Sequence, residues 1–358
     1  MRIDARYRTG LSDQLGIEWP LIQAPLGGGP STPELVAAAS NAGALGSLGA
    51  AYFSPEELER AMVRIRELSA RPFGVNLFAP APVPTLSAGQ VQAALAATRG
   101  YRAELGLPDP ALRPPFHQDF EQQTAVVLRA RPAVFSFTFG LVDRDVIEKC
   151  RRASVITMGT ATSVEEGLAL QESGVDAVVA QGVEAGGHRG LFSPEQRDSL
   201  IGTLALTRTM VSALRIPVVA SGGIMDGRGI AAVLTLGAQA AHLGTAFLLC
   251  EEAGTSPAYR EAIEKARGRD TRLTRAFSGR WARGIENRFM VEMEGRDGSI
   301  LPFPAQNAFT RDIRKKATEV EKAEYLSLWA GQGVGLIRKM KAGDLVRTLR
   351  EEMVAALG

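Results

Sequence analysis

The first 250 residues alternate between short apolar runs and amphipathic segments, and this alternation constrains the fold more than any other feature. An apolar run followed by a helix is typical of a strand in a parallel sheet that helices cover. Eight such units predict a closed (β/α)8 TIM barrel, which typically needs about 250 residues. A doubly wound open sheet is the alternative, because the pattern does not show closure. The eight runs cover residues 20–26, 44–50, 73–78, 133–140, 154–160, 176–182, 216–223 and 240–248.

Helix start signals follow several of these runs. Thr32 precedes Pro33, and Ser54 precedes a proline and two glutamates, which is the pattern of a capped helix N-terminus. Helices are therefore predicted between the strands, over residues 33–42, from 54, from 143, and over 163–173, 200–214 and 227–236.

Three departures from the alternation define the domain organisation. Residues 79–131 begin with a proline-rich bend and contain helical stretches near 88–105 and 118–129, so they are interpreted as a helical insertion in a barrel of residues 1–250. Residues 251–310 carry scattered charges and a proline-containing loop, and they are expected to cap the substrate site. Residues 311–358, with helices at 311–329 and 336–357, are expected to pack back on the barrel.

Composition excludes several classes of function. The net charge of +2 gives no reason to expect a nucleic-acid partner. The chain has no run of about 18 apolar residues that would predict a membrane span, and its first residues lack the apolar core of a signal peptide. Cys150 and Cys250 are isolated, which favours a reducing, cytoplasmic location, and three histidines without helical spacing predict no metal site.

Small residues cluster where the predicted strands end. In a barrel these ends share one face, which carries the active site. Gly222-Gly223 precedes a helix and Gly244-Thr245 lies on the next strand, so their amides predict a phosphate site; tight turns alone are the alternative. Gly27-Gly28-Gly29 would let a flat ligand lie close to the backbone.

Four polar residues stand out on the same face. Asn76 and Gln181 interrupt apolar runs, and their amides match the edge of a heteroaromatic ring or pair within the barrel. His188 follows two glycines and is the candidate base or hydrogen-bond donor. Arg189 is interpreted either as an anion clamp or as one half of a surface salt bridge.

These residues resemble the class I nitronate monooxygenases, formerly called 2-nitropropane dioxygenases. The resemblance runs in order from residue 20 to about 290, and EAGGHRG with SGGIMDGRG is its most specific part. Leu26 stands where the family often has methionine, and His242-Leu243 stand where glutamine or methionine usually precedes the Gly-Thr pair. The matching stretches are IQAPLGGG, SNAGALGSLGA, RPFGVNLF, FSFTFG, QGVEAGGHRG, ASGGIMDGRG, LGTAFL and TRAFSGRWARG.

The resemblance implies an FMN-binding TIM barrel with His188 as the catalytic residue. It implies oxidation of alkyl nitronates, and weakly of nitroalkanes, by O2 to a carbonyl compound and nitrite through a flavin semiquinone, in a monomer or homodimer without metal. The alternatives are an NAD(P)H-dependent FMN reductase acting on quinones or enoyl thioesters, and a non-catalytic flavin-binding module. The segment RAFSGRWARG of the cap is expected to bind either an anionic cofactor tail or a substrate carboxylate. The residues expected to bind FMN are Ala24, Pro25, Leu26, Gly27, Asn76, Gln181, Gly186, Gly187, Ser221, Gly222, Gly223, His242, Leu243, Gly244 and Thr245.

Overall fold

A computed structural model describes residues 7–193 and 198–358, in which eight parallel strands close into a barrel. The predicted TIM barrel is confirmed, and the open sheet is excluded because the last barrel strand pairs with the first. Each predicted run matches one barrel strand, and only the fifth strand extends beyond its run, by one residue. The barrel strands are β1 (Leu21–Gln23), β2 (Leu45–Gly49), β3 (Phe73–Phe78), β4 (Val134–Thr138), β5 (Ile156–Ala161), β6 (Ala177–Gln181), β8 (Val218–Ser221) and β9 (Ala240–Leu243).

The outer helices begin where the sequence indicates. Thr32 accepts a hydrogen bond from the Leu35 amide, and Ser54 forms a reciprocal capping box with Glu57. These caps satisfy amides that a helix N-terminus leaves without partners. The helices around the barrel are α2 (Pro33–Asn41), α3 (Pro55–Leu68), α5 (Phe120–Ala130), α6 (Arg144–Arg152), α7 (Val164–Ser173), α8 (Thr203–Ala213) and α9 (Gly227–Thr235).

A short helix that the sequence did not predict, α1 (Gly10–Leu15), closes the N-terminal end of the barrel. Leu11 and Leu15 pack against side chains from the beginnings of the strands, including Ile22 and Val134. This plug makes the lower half of the barrel a packed core, so a ligand has room only at the opposite end.

The predicted insertion divides into two parts. Its second helix, α5, packs against α3 and β3 among the outer helices, whereas its first helix, α4 (Ala88–Glu104), reaches the cap. There the buried Arg102 guanidinium donates to the Asp312 carboxylate, with a shortest distance of 2.7 Å, and to the Phe309 carbonyl. Glu104 pairs with Arg288 at 2.9 Å. The insertion and the cap are therefore joined by buried and half-buried ion pairs.

The cap contains a small antiparallel sheet in the order β10 (Thr271–Thr274), β11 (Ala282–Ile285) and β7 (Gly187–His188). The strand β7 belongs to the loop after β6, so one barrel loop forms the edge of the cap sheet. The other cap helices are α10 (Pro257–Lys265), α11 (Arg288–Met293), α12 (Ala305–Phe309) and α13 (Arg311–Glu319).

The two C-terminal helices are shorter than expected. The helix predicted over 311–329 ends at Glu319, and a left-handed residue, Glu321, follows. It was expected to pack back on the barrel, but Ile313 and Ala317 pack against cap residues such as Phe289, so this helix belongs to the cap. The helix predicted from 336 begins at Ala342, because the segment from Gly331 to Gly335 forms turns. This last helix, α14 (Ala342–Leu357), packs on α9 and α2. Among the described residues no helix is both long and apolar enough to cross a bilayer.

Candidate active site

A cavity of about 490 Å³ lies at the C-terminal ends of the barrel strands, beneath the cap. This size is ordinary for a small-molecule site. Fifteen of the sixteen site residues predicted from the sequence line it. The exception is Leu243, whose side chain is 1% exposed and packs in the core between the barrel and α14. The lining residues are Ala24, Pro25, Leu26, Gly27, Asn76, Gln181, Gly186, Gly187, His188, Ser221, Gly222, Gly223, His242, Gly244 and Thr245.

One end of the cavity is a cradle of backbone amides after β8 and β9. The N–H groups of Gly222, Gly223, Gly244 and Thr245 donate to no acceptor in the described chain. Gly222 and Gly223 have φ values of 118° and 70°, which glycine adopts without strain. Orphan amides that converge on a cavity suit an oxyanion such as a phosphate.

The segment 330–333 closes over this cradle, and the sequence analysis did not identify it. The Gly331 amide donates to the Thr245 hydroxyl at 3.0 Å. A Cβ at Gly331 would lie 2.5 Å from the Glu184 carbonyl oxygen and 3.0 Å from the Gly186 nitrogen. Glycine is therefore required where the two backbones meet. The pattern AGQGVG was the available signal for such a close approach.

The two buried amide side chains are partly engaged within the protein. Asn76 donates from Nδ2 to the Ser136 hydroxyl at 3.0 Å, which leaves its oxygen and one N–H without a partner in the described chain. The Gln181 oxygen accepts from the Gly190 amide at 2.8 Å, while its nitrogen donates to the His188 carbonyl at 2.9 Å. Each side chain retains at least one donor for a ligand.

Arg189 is neither an anion clamp nor part of a surface salt bridge, so both interpretations of this residue were wrong. Its side chain is fully buried, and its Nε lies 2.6 Å from the carboxylate of Asp198, which is also buried. The remaining donors bind the backbone oxygens of Gln181 and Gly182 and the Gln181 side chain. Burial raises the pKa of Asp198, but the hydrogen bond and charge of Arg189 outweigh it and lower that pKa overall. The pair fixes the loop that carries His188.

His188 lies on β7, where it pairs with Ala282 of the cap sheet. Its ring is surrounded by the aromatic rings of Phe78, Phe139, Phe303 and Trp329, with centroids between 5.6 and 6.4 Å away. Burial, together with the smaller effect of the positive charges of Arg280 and Arg314, lowers the pKa of His188 to about 3. The imidazole is therefore neutral at physiological pH.

Ser278, which the sequence analysis did not single out, orients the His188 ring. The hydroxyl lies 2.8 Å from His188 Nε2 and donates to the Arg280 carbonyl at 3.2 Å. Because a hydroxyl has one proton, we assign the proton of the imidazole to Nε2, which leaves the Nδ1 lone pair free. The ring is thus arranged as a proton acceptor at Nδ1. Rotating the hydroxyl to donate to Nε2 would place the proton on Nδ1.

A second histidine, His242, contributes to the lining from β9. Its Nδ1 lies 3.1 Å from the Ser221 hydroxyl, and burial lowers its pKa to about 4. Like His188, it is a neutral group that contacts the cavity and one serine.

The charged residues of the cavity differ from those that the sequence suggested. The arginines of RAFSGRWARG were candidates for binding an anionic tail, but none of them lines the cavity. Arg280 stacks on Phe139 at 4.1 Å and donates to the Leu191 carbonyl, and Arg283 donates to the Val183 carbonyl. The lining cations instead come from α13, namely Arg311, Arg314 and Lys315.

The donor set fits a flavin mononucleotide. Orphan amides suit its phosphate, the bare backbone at Gly27 and Gly187 admits a flat ring, and Asn76 and Gln181 retain donors for the ring edge. Within the described residues no carboxylate lines the cavity, so nothing opposes an anionic ligand.

The chain is similar to known proteins over almost its whole length. The family model for nitronate monooxygenase matches residues 8–352. A probable nitronate monooxygenase of Staphylococcus haemolyticus is 41% identical over 98% of both chains. The crystal structure of nitroalkane oxidase from Streptomyces ansochromogenes superposes with a TM-score of 0.91 at 40% identity, covering 97% of this chain and 98% of that one. FabK from Thermotoga maritima gives a TM-score of 0.75 at 28% identity, covering 98% and 97%.

Proposed function

Because the chain belongs to the nitronate monooxygenase family and is an oxidoreductase, we propose that it oxidises alkyl nitronates, and more weakly nitroalkanes, with FMN held in the cavity. The products are a carbonyl compound and nitrite, with O2 as the oxidant. The observation that carries the proposal is a neutral, Ser278-oriented His188 in a cavity lined by three cations and no carboxylates of the described chain. Such a site favours an anionic substrate. The lining cations attract the anion, so His188 does not have to be protonated for it to bind.

FMN is assigned to the cavity with its phosphate in the amide cradle of Gly222, Gly223, Gly244 and Thr245. Asn76 and Gln181 supply donors for the ring edge. When bound, the flavin supplies the one-electron oxidation of the nitronate and the reaction with oxygen. The protein supplies binding, orientation and the exclusion of water by the cap.

His188 has two roles, one for each form of the substrate. For a neutral nitroalkane, Nδ1 removes the α-proton, and a ring that is neutral at physiological pH is already in the required state. For a nitronate, which has already lost that proton, the ring donates a hydrogen bond from Nδ1. Ser278 permits both roles, because its hydroxyl can accept from Nε2 or donate to it.

A reductase, which the sequence analysis gave as an alternative, is the second candidate, because three cations line the cavity and suit the phosphates of a nicotinamide cofactor. In that case a nicotinamide cofactor would occupy the space above the flavin, and its phosphates would meet the cations of α13. The two functions differ in which molecule delivers electrons to the flavin.

Anaerobic mixing distinguishes the two candidates. The FMN-loaded protein is mixed in one cell with propionate 3-nitronate and in another with NADH or NADPH, while the visible absorbance of the flavin is followed. The proposal predicts that the nitronate changes the absorbance, that the nicotinamides do not, and that nitrite forms when air is admitted. Bleaching by a nicotinamide with an inert nitronate would assign the chain to the reductases.

Substitution of His188 tests its assigned roles. His188→Asn should retain FMN but lose most turnover, by about 100-fold or more for nitroalkanes, since a positioned base typically contributes that much. Ser278→Ala should keep FMN and the ring but lower nitroalkane turnover by a smaller factor, because the tautomer is no longer selected. Unchanged turnover in His188→Asn would remove the residue from the mechanism.

A further inference from the structure

Three cations on one helix face the cavity without a counter-ion. Arg311, Arg314 and Lys315 of α13 all line the cavity. None of the three forms an ion pair within residues 7–193 and 198–358, and Arg311 and Lys315 make no side-chain hydrogen bond there. The other charged residues of α13 form ion pairs. The side of this helix that lines the cavity therefore carries the charges that are unpaired within the described chain.

The anionic neighbours on α13 are directed elsewhere. Asp312 follows Arg311 directly, but its carboxylate binds the buried Arg102 of the insertion at 2.7 Å. Glu319 pairs with Lys316 at 3.3 Å. Neither carboxylate forms an ion pair with a cavity cation, although the charge of Asp312 partly offsets the lowering of the Arg314 pKa. The spacing 311, 314 and 315 places those three side chains on one face of a helix.

The position of Arg314 relates this face to the candidate active site. Its Nη2 donates to the backbone and side-chain oxygens of Asn307 at 2.7 and 2.9 Å, which fixes the guanidinium. Its charge lowers the pKa of His188. It also opposes the increase that burial causes in the pKa of Tyr52. Arg314 therefore acts electrostatically on both residues, and Arg311 also acts on Tyr52. All three cations line the same cavity as His188 and Tyr52.

This arrangement is unfavourable for the protein alone. Burial lowers the pKa of Arg314, although the nearby Tyr52 opposes that effect, and the like charge of Arg311 lowers it further. Arg311 is the first residue of α13, where the helix dipole disfavours a positive charge. Repulsion between like charges three and four residues apart adds to this cost. A ligand with negative charge would relieve all three effects.

We propose that Arg311, Arg314 and Lys315 form a subsite for a dianionic group of the substrate, a phosphate or a pair of carboxylates, in the same cavity as His188. The assignment rests on the proposed function, since it names a group of that substrate. A single carboxylate engages one guanidinium as a fork and leaves two charges unmatched, whereas a dianion matches two or three. The flavin phosphate has its own cradle in the orphan amides after β8 and β9.

The test is calorimetric titration of the FMN-saturated holoenzyme with inorganic phosphate, and with acetate as the monoanion, at fixed ionic strength. Saturation with FMN keeps the amide cradle occupied, so phosphate reports on the α13 face. We expect phosphate to bind more tightly than acetate and to inhibit nitronate turnover competitively. Arg311→Gln and Lys315→Gln should each weaken phosphate binding about tenfold, as expected for loss of a charged hydrogen-bond donor.

Lys316→Gln is the matched control, because it removes a cation from the same helix but outside the cavity. Phosphate binding in this variant should equal that of the wild type. Phosphate binding no tighter than acetate, or equal weakening in Lys316→Gln and Arg311→Gln, would overturn the subsite.

The two proposals fail separately. Nitronate turnover without specific phosphate binding would leave the proposed function intact and remove the subsite. Phosphate binding that depends on the three cations, in a holoenzyme inert towards nitronates, would retain an anion site but reject its assignment to a nitronate substrate.

Discussion

Breaking the buried pair between Arg189 and Asp198 should destabilise the protein more than any surface substitution. Both side chains are buried, and Arg189 also donates to two backbone oxygens and to the Gln181 side chain. Arg189→Met leaves a buried carboxylate and three acceptors without their donor. Asp198→Asn leaves a buried guanidinium without its counter-charge.

The expected magnitude follows from the loss of one partner of a buried ion pair, which costs about 3–5 kcal/mol. An unfolding entropy of about 2.1 cal/mol/K per residue gives a chain of 358 residues about 0.75 kcal/mol/K. A loss of about 4 kcal/mol then lowers Tm by about 5 °C. The double variant Arg189→Met with Asp198→Leu should recover part of this loss, because an apolar pair of similar volume replaces two buried charges.

Thermal unfolding followed by circular dichroism measures these shifts, and FMN fluorescence in the same samples reports release of the cofactor. Arg64→Met is the control, since Arg64 forms exposed pairs with Glu34 and Glu67 and should leave Tm unchanged. FMN should be released before unfolding in Arg189→Met, because the loop from Gln181 to Arg189 lines the cavity. If Arg189→Met melted at the same temperature as Arg64→Met, the pair would not stabilise the loop as argued.

Two further predictions concern pH and the cradle. The folded-state pKa values of His188 and His242, about 3 and about 4, lie below the usual value of about 6.5, so the unfolded chain takes up protons that the folded chain excludes. The stability that these two histidines contribute is therefore complete above about pH 6.5 and is lost as the pH falls towards 4 and 3. A plot of Tm against pH should be flatter in the double variant His188→Gln with His242→Gln. It should not be flatter in the control His117→Gln, which changes an exposed ring. Gly331→Ala should lose FMN on gel filtration, because its Cβ would lie 2.5 Å from a backbone oxygen, whereas Gly335→Ala, whose Cβ would meet only a side-chain carbon at 3.5 Å, should retain it. Retention of FMN by Gly331→Ala would contradict this prediction. It would show that the segment 330–333 can move away from Glu184 without loss of the cofactor.

The barrel was predictable because its signal is repeated. Each strand is buried on both faces and therefore has a mainly apolar sequence. The capping residues indicate where the helices begin. The strand ends were less accurate, as in the run 240–248, where the strand stops at Leu243 and a 3₁₀ turn from Thr245 follows. Glycines at the ends of these runs were included in the predicted strands because they are small residues within an apolar run. In the structure they bend the backbone around the cavity.

The small sheet of the cap was not predictable from periodicity. Strand β7 has two residues, and β10 and β11 have four each, which is too short for an alternating pattern to be recognised. Ser278 was missed for the same reason, since its relation to His188 depends on how a loop folds over a distant strand. The helix α1 has only two buried leucines, which is a weak signal for a helix.

The charges were misassigned because sequence alone does not distinguish a cation that faces a cavity from one that faces solvent. The arginines of RAFSGRWARG lie among glycines and aromatic residues, as in a ligand loop, yet Arg280 and Arg283 bind the backbone of neighbouring loops. Arg311, Arg314 and Lys315 are part of an ordinary charged helix in the sequence, and only the packing of α13 over the barrel brings them into the lining of the cavity.

The pairing of His188 with the cap sheet has a consequence for how such an enzyme can diverge. The amide cradle belongs mainly to the barrel, but the histidine is positioned by β11, a strand about a hundred residues further along the chain. A related barrel that exchanged or lost its cap would inherit a place for the nucleotide and no fixed place for the imidazole. Recombination at the end of the barrel would thus separate the residues that bind the cofactor from the strand that positions the catalytic histidine.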